Sequence, residues 1–143
     1  MKVADDIKAK LVSVKTENII RMPLGLLGFE SIKQYVMLAN PDEYPFLWLQ
    51  VLEDPNLAFL VISPFTVVPD YQPDIPNEDV EFLGLKEASD ALIYNIVTLK
   101  GPGLATVNLK GPVVLNRSTL IGKQVVIANA ADYALQHSLP LCD

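Results

Sequence analysis

The side chains best equipped for chemistry are few, and they are scattered. There is one histidine, His137, and one cysteine, Cys142, both close to the end of the chain. Any Ser-His-Asp or Cys-His arrangement would have to be built on His137, and no Gly-x-Ser-x-Gly elbow occurs. His137 therefore reads as an anchoring or surface residue of the tail. Cys142, next to Asp143, sits where chains fray and nothing activates a thiol. One His and one Cys do not make a zinc site, and the carboxylates lack EF-hand spacing. Gly25-Leu26-Leu27-Gly28 lacks the Lys-Ser/Thr ending of a phosphate loop and the glycine spacing of a dinucleotide fold. Its two glycines instead mark backbone positions with positive φ. No metal and no cofactor are expected.

What remains is carboxylate chemistry. Glu53 with Asp54, or Asp42 with Glu43, has the residue types for acid–base work, yet adjacent acids on a turn usually face water. The enzymatic alternative is a hydrolase using Glu53 and Asp70, which would have to gather two acids in one cleft. A third reading is a small-ligand-binding β-barrel that stacks oligosaccharides or nucleotides on Trp48 and the tyrosines. It needs an exposed Trp48, whereas Trp48 is expected to be mostly buried. The favoured reading is a protein-binding module, not an enzyme.

The charge distribution supports that reading. Residues 1–40 hold six basic and four acidic side chains (+2), residues 41–90 hold Lys86 against eleven acids (−10), and residues 91–143 hold four basic and two acidic ones (+2). Such an acidic segment either keeps a surface solvated or docks a basic partner. It disfavours direct nucleic-acid binding, which needs clustered Lys and Arg, and equally an anionic membrane surface. Six aromatic residues, Tyr44, Phe46, Trp48, Phe59, Phe65 and Tyr71, fall in the same acidic stretch. Phe46 and Trp48 share one strand face, with Phe59 a candidate on the neighbouring strand. Phe65 and Tyr71, in the proline-punctuated segment Pro64-Phe65-Thr66-Val67-Val68-Pro69-Asp70-Tyr71, are candidates for a docking edge.

These residues must be positioned by many short strands. Eleven prolines and seven glycines punctuate runs of Val, Ile and Leu, the pattern of strands joined by turns. Strands are predicted at 10–15, 19–22, 35–39, 47–52, 57–62, 91–99, 104–110, 113–116 and 120–128. The first two form a hairpin about Thr16-Glu17-Asn18. Glu53-Asp54-Pro55-Asn56 makes a tight turn, and Val107 and Leu109 face inward. A two-turn helix is predicted from an Asn77 N-cap to Gly84, with Glu78, Asp79 and Glu81 at the positive end of its dipole. Shorter helical turns are predicted at 87–91 and 31–35. The expected fold is mostly β: a compact β-barrel or sandwich-like single domain over residues 1–143 with short peripheral helices. The apolar run Leu57–Ile62 is too short to span a bilayer. The charged start Met1-Lys2-Val3-Ala4-Asp5-Asp6 does not suit a signal peptide. The expected location is the cytoplasm.

With these segments laid out, the chain resembles the flagellar assembly factor FliW family almost end to end. Met22-Pro23-Leu24-Gly25-Leu26-Leu27-Gly28-Phe29-Glu30 is similar to that family's Pro-x-Gly-x-x-Gly-Phe-Glu motif. The long block from Trp48 to Ile62, continuing through Ser63-Pro64-Phe65 to Pro69-Asp70-Tyr71, is the strongest match. Asn95-Ile96-Val97-Thr98, the run from Thr106 to Asn116, Gly122-Lys123-Gln124-Val125-Val126, and Tyr133 with His137 and Leu139 follow in the family's order. Ser63, Val67 and Ser138 depart from the pattern, and the first two bear on partner affinity more than on fold. The resemblance implies two partners: the translational regulator CsrA, whose RNA binding the family antagonises, and flagellin, bound through its terminal helices. On that basis Glu53, Asp54, Asp70 and Phe65 are expected to face CsrA. Val67, Val68 and Leu83 are expected to contact amphipathic flagellin helices, with Tyr71 completing the partner-binding set.

Overall fold

The computed structural model describes residues 15–141. Nine strands form among them: β1 (Ile20–Arg21), β2 (Gln34–Ala39), β3 (Leu47–Val51), β4 (Ala58–Ile62), β5 (Ala91–Gly101), β6 (Leu104–Val107), β7 (Val113–Asn116), β8 (Gly122–Gln124) and β9 (His137–Pro140). They make one antiparallel, barrel- or sandwich-like sheet in the order β1-β2-β3-β4-β5-β6-β9, with β7 paired to β5 and β8 to β7. One α-helix, α1 (Asn77–Leu83), lies between β4 and β5 in sequence.

Strand β5 carries the topology. Ala91 to Tyr94 pair with β7, Asn95 and Ile96 with β4, and Val97 to Gly101 with β6. β6 and β7 therefore follow one another along β5, with an excursion at residues 108–112 between them. Gly101-Pro102-Gly103 turns β5 into β6, and positive φ at both glycines (140° and 73°) suits this turn.

Both faces of the sheet are covered. One core holds Ile20, Met22, Leu26, Tyr35, Leu49, Val51, Val61, Val113 and Leu115. The other holds Ile62, Tyr71, Leu83, Val97, Ala105, Val107, Leu109, Val114, Val125 and Ile127. Successive residues of β4 and β7 serve opposite cores, which is why these strands read as continuous apolar runs rather than alternating ones. The same parity places Phe59 with Phe29 and Tyr35 on one face, its ring 4.9 Å from that of Phe29. Phe46 packs on the opposite core. Phe59 is thus not on the Phe46–Trp48 face, because it pairs with Leu49 across the strands.

Other local expectations fare unevenly. The 10–15 strand lies outside the described residues apart from Lys15. Thr16–Asn18 is a 3-10 turn, and the strand after it pairs with β2. Residues 31–35 are not helical, since Gln34 already begins β2. α1 begins at Asn77 itself with Pro76 in the capping position and no side-chain cap. Gly84 ends it in the left-handed conformation, φ 67°. Ala88–Asp90 is a 3-10 turn whose Glu87 and Asp90 side chains form a reciprocal capping box.

Gly25 and Gly28 do adopt positive φ, 66° and 87°. At Gly25 an added Cβ would lie 2.5 Å from the Phe29 carbonyl oxygen and 2.6 Å from Glu30 Cα, whereas at Gly28 it would meet nothing within 4 Å. Gly28→Ala should cost about 1–2 kcal/mol from the left-handed backbone alone. Gly25→Ala should cost about 1–3 kcal/mol more, because the clash is with backbone. Urea midpoints of the two variants measure the difference, and equal midpoints would contradict this geometry.

Tyr35 is fully buried and its hydroxyl has no hydrogen-bond partner among the described residues. Burial pushes its phenol from the usual 10 up to about 12. The folded phenol therefore ionises later than the unfolded one, so stability is intact below about pH 10 and falls as the pH rises towards 12. Tyr35→Phe should remove part of that alkaline loss. It should also be no less stable than the parent at neutral pH, since it deletes an unsatisfied buried hydroxyl. Urea unfolding near neutrality and at alkaline pH tests both statements.

Candidate protein-binding face

Beyond β4 the chain cannot continue as strand, because Pro64 follows Ser63 directly. Pro64 instead opens a 3-10 turn over Pro64–Thr66, with Val67 N–H and Val68 N–H donating to its carbonyl at 3.1 and 2.8 Å. This turn directs Phe65 outward, 44% exposed, and sets Val67 and Val68 half-buried against the core. Asp70 is exposed. Tyr71 and Leu83 are different: each is 3% exposed, so both support this face from beneath instead of offering contacts. The Tyr71 hydroxyl donates to the Leu109 carbonyl at 2.6 Å, and burial pushes its phenol pKa up. Its ring meets that of Tyr133 edge-on, centroids 4.7 Å apart.

The rest of the segment is pinned by the chain near Asn129. Asn129 donates to the Gln72 carbonyl (2.8 Å) and accepts from Asp74 N–H (2.8 Å). Ala128 N–H donates to the Asp74 carbonyl at 2.7 Å. α1 is held in turn by the buried Asp79 carboxylate paired with the Lys123 ammonium of β8, and by Asn116, whose amide donates to the Leu83 carbonyl at 2.8 Å. Asp79 had looked like an ordinary first-turn acid. It points inward because the helix turns it to the same side as Leu83.

Between this segment, α1 and the start of β5 lies a groove of about 540 Å³, with Phe65, Ile75, Val80, Leu85, Ala91 and Ile93 among its lining. Lys86 and Glu87 stand at it as the charged members of the lining. Asp70, Asp74, Glu78, Glu81 and Glu87 are exposed on the chain that builds its walls. Sequence reasoning found Phe65 but missed Ile75, Val80, Leu85 and Ile93. Their signal was apolar residues interleaved with acids from Pro73 to Leu85, a weak cue without knowing which sides face the sheet.

Glu53 and Asp54 are exposed at the other end of β4. The Asp54 side chain accepts from Asn56 N–H at 2.9 Å, and the buried Gln50 amide donates to the Asp54 and Leu57 carbonyls at 2.8 and 2.9 Å, fixing the turn. Since Ile62 pairs with Asn95, the residues after β4 lie towards the beginning of β5 while the 53–56 turn lies towards its end. Neither Glu53 nor Asp70 is among the residues that line the groove. Among the described residues no three His, Cys, Asp or Glu side chains cluster as a metal site. Trp48 is partly buried and not on the exposed surface, and its indole N–H donates to Glu43 at 3.1 Å. His137 is half-buried in β9, opposite Val107. No helix among the described residues is long and apolar enough to cross a membrane.

A family model described as FliW protein matches residues 5–139. The chain belongs to the FliW family. It is 38% identical over 130 residues to the flagellar assembly factor FliW of Natranaerobius thermophilus, covering 90% of this chain and 85% of that protein. It is 40% identical over 118 residues to the factor of Alkaliphilus metalliredigens, covering 81% and 73%. A crystal structure of the flagellar assembly factor FliW superposes with a TM-score of 0.79 at 31% identity, covering 92% of this chain and 91% of that one. The FliW motif residues divide by role in this structure. Gly25 and Gly28 shape a loop, Gln50 and Asn95 are buried brackets, and Phe65 and Asp70 reach solvent.

The Asp79–Lys123 pair offers a test of how the face is held. Lys123→Met leaves a buried carboxylate without its cation and should destabilise the protein by on the order of 3 kcal/mol. Asp79→Asn with Lys123→Met should recover much of that loss. Denaturant unfolding of both single variants and of the double variant checks it, and single losses that simply add up in the double variant would show that the pair is not coupled.

Proposed function

We propose that this FliW-family protein acts in the cytoplasm, as one unit over residues 1–143, by exchanging two protein partners. It binds CsrA and weakens that regulator's hold on RNA, and it binds flagellin in a chaperone-like manner. Rising free flagellin then releases CsrA, and flagellin level is coupled to flagellin translation.

The observation that carries this reading is the distribution of carboxylates. Asp70, Asp74, Glu78, Glu81 and Glu87 are spread over an outer face next to the exposed Phe65, as suits docking on a basic surface and not acid–base catalysis. A protein that grips RNA must itself present cationic surface. Acidic residues here would speed the encounter with CsrA, and apolar side chains that become buried on binding, such as Phe65, would slow dissociation. Val67 and Val68, half-buried beside Phe65, would take part in the contact with flagellin.

Titrating the protein into a pre-formed complex of CsrA with a leader RNA should release the RNA, and flagellin added next should restore the complex. Asp70→Lys with Glu78→Lys should weaken CsrA binding by roughly tenfold, with the loss shrinking at high salt as screening removes the attraction. Unchanged affinity in that double variant, with no salt dependence, would remove the acidic face from the account.

A further inference from the structure

Residues 71–76 adopt no regular structure, yet their backbone is paired as though they did. The chain at 128–133 supplies the partners. Ala128 N–H donates to the Asp74 carbonyl at 2.7 Å, and Asp74 N–H donates to the Asn129 side-chain oxygen at 2.8 Å. The Asn129 amide donates to the Gln72 carbonyl at 2.8 Å, and Gln72 N–H donates to the Tyr133 hydroxyl at 2.9 Å. Pro73, between them, has no N–H to satisfy. The Asn129 side chain thus imitates a peptide unit, with one donor and one acceptor turned to the same neighbour. It does this in place of a local role. Asn129 stands at the N-cap of the Ala130–Asp132 turn, a position asparagine commonly caps, and its side chain makes no cap bond.

This bracket is itself anchored to the 108–112 excursion. The Lys110 ammonium donates to the Ala130 carbonyl at 2.7 Å, and Leu109 N–H donates to the Ala134 carbonyl at 3.1 Å. From the bracket a line of rings leads to the face. Tyr133 lies 4.7 Å from Tyr71, and Tyr71 lies 6.1 Å from the exposed Phe65, centroid to centroid. We propose that Asn129 and Tyr133 are positioning residues for partner binding: without touching the partner, they hold residues 65–74 in the one shape that presents Phe65 and Asp70 together. This rests on the reading that partners meet this face, and it adds what keeps the face competent. Both residues are half-buried and neither belongs to the buried set of either core, so the bracket opens with the sheet intact. Apparent affinity then falls in proportion to the fraction of molecules still closed.

Asn129→Asp separates positioning from charge. It keeps the shape and the acceptor, removes the donor, and adds a negative charge beside an acidic face. Attraction to a cationic partner by charge alone would make this variant bind CsrA more tightly, whereas loss of the bracket weakens binding. In the full chain, Asn129→Asp and Asn129→Ala should each bind CsrA about fivefold more weakly, chiefly through slower association. Tyr133→Phe, which keeps the ring and loses the acceptor, should lose less. In both Asn129 variants the Gln72 amide, whose own acceptor is untouched, should exchange several-fold faster while the near-UV spectrum stays that of the parent. If the Asn129 variants lose that spectrum, Tyr133→Phe, read at the Ala128 amide, carries the same test. Tighter binding by Asn129→Asp, or parental affinity in both Asn129 variants, would overturn the proposal. So would weaker binding with parental exchange at Gln72, which would make Asn129 a direct contact. If the parent binds CsrA and the variants match it, positioning alone falls. If the parent binds neither CsrA nor flagellin, the partner-exchange reading falls and the positioning role falls with it.

Discussion

Strand β5 must be paired along eleven residues by three different strands, and that is possible only if the chain between β6 and β7 leaves the ladder and returns. Residues 108–112 make that excursion, and their backbone groups would be unpaired without help from elsewhere. The buried Asn95 amide of β5 donates to the Asn108 carbonyl at 2.7 Å, the Tyr71 hydroxyl to the Leu109 carbonyl at 2.6 Å, and the Gln124 amide of β8 to the Gly111 carbonyl at 3.1 Å. Asn108 closes the turn itself, accepting from Lys110 and Gly111 N–H at 3.0 Å each. Three separate parts of the chain thus converge on one irregular stretch. One of them, Tyr71, belongs to the segment that builds the candidate face. The same contact that lets β5 be shared also fixes the underside of that face.

Covering both sides of the sheet has a second consequence. With one core on each face, little strand surface is left to carry function, so it falls to the connections at the ends of strands. The β4-to-α1 connection is the longest of these among the described residues, running from Ser63 to Pro76. It is a stiff connection, fixed by Pro64, by Tyr71 and by Asn129. A rigid segment that displays an exposed aromatic ring among carboxylates loses little entropy on docking, which favours binding over a floppy acidic loop of the same composition.

The strands were legible wherever turn chemistry and apolar runs coincided. Glu53-Asp54-Pro55-Asn56 and Gly101-Pro102-Gly103 declare their turns by residue type, and β3 to β6 fall close to the expected places. The β9 pairing was not legible, because His137-Ser138-Leu139-Pro140 contains no strong strand former and is recruited by the edge of β6 that β5 leaves free. Phe59 lies on the neighbouring strand as expected, but its face was not legible because β4 serves two cores, so period-two reasoning gives no preferred inside. The candidate site was half legible. Phe65 and Asp70 announced themselves as an aromatic and an acid each directly following a proline. Tyr71 and Leu83 look equally suited to contact a partner in sequence, and only the three-dimensional path puts them under the surface.

The proposed exchange puts partner contact on the face built by residues 63–90 at the start of β5. Amide hydrogen exchange of the full chain, alone and with CsrA in excess, tests this, because protection is read along the whole backbone at once. New protection should concentrate in residues 63–90 and at the first residues of β5. Protection confined to the 23–30 loop or to β9, with the 63–90 segment exchanging as in the free protein, would contradict it.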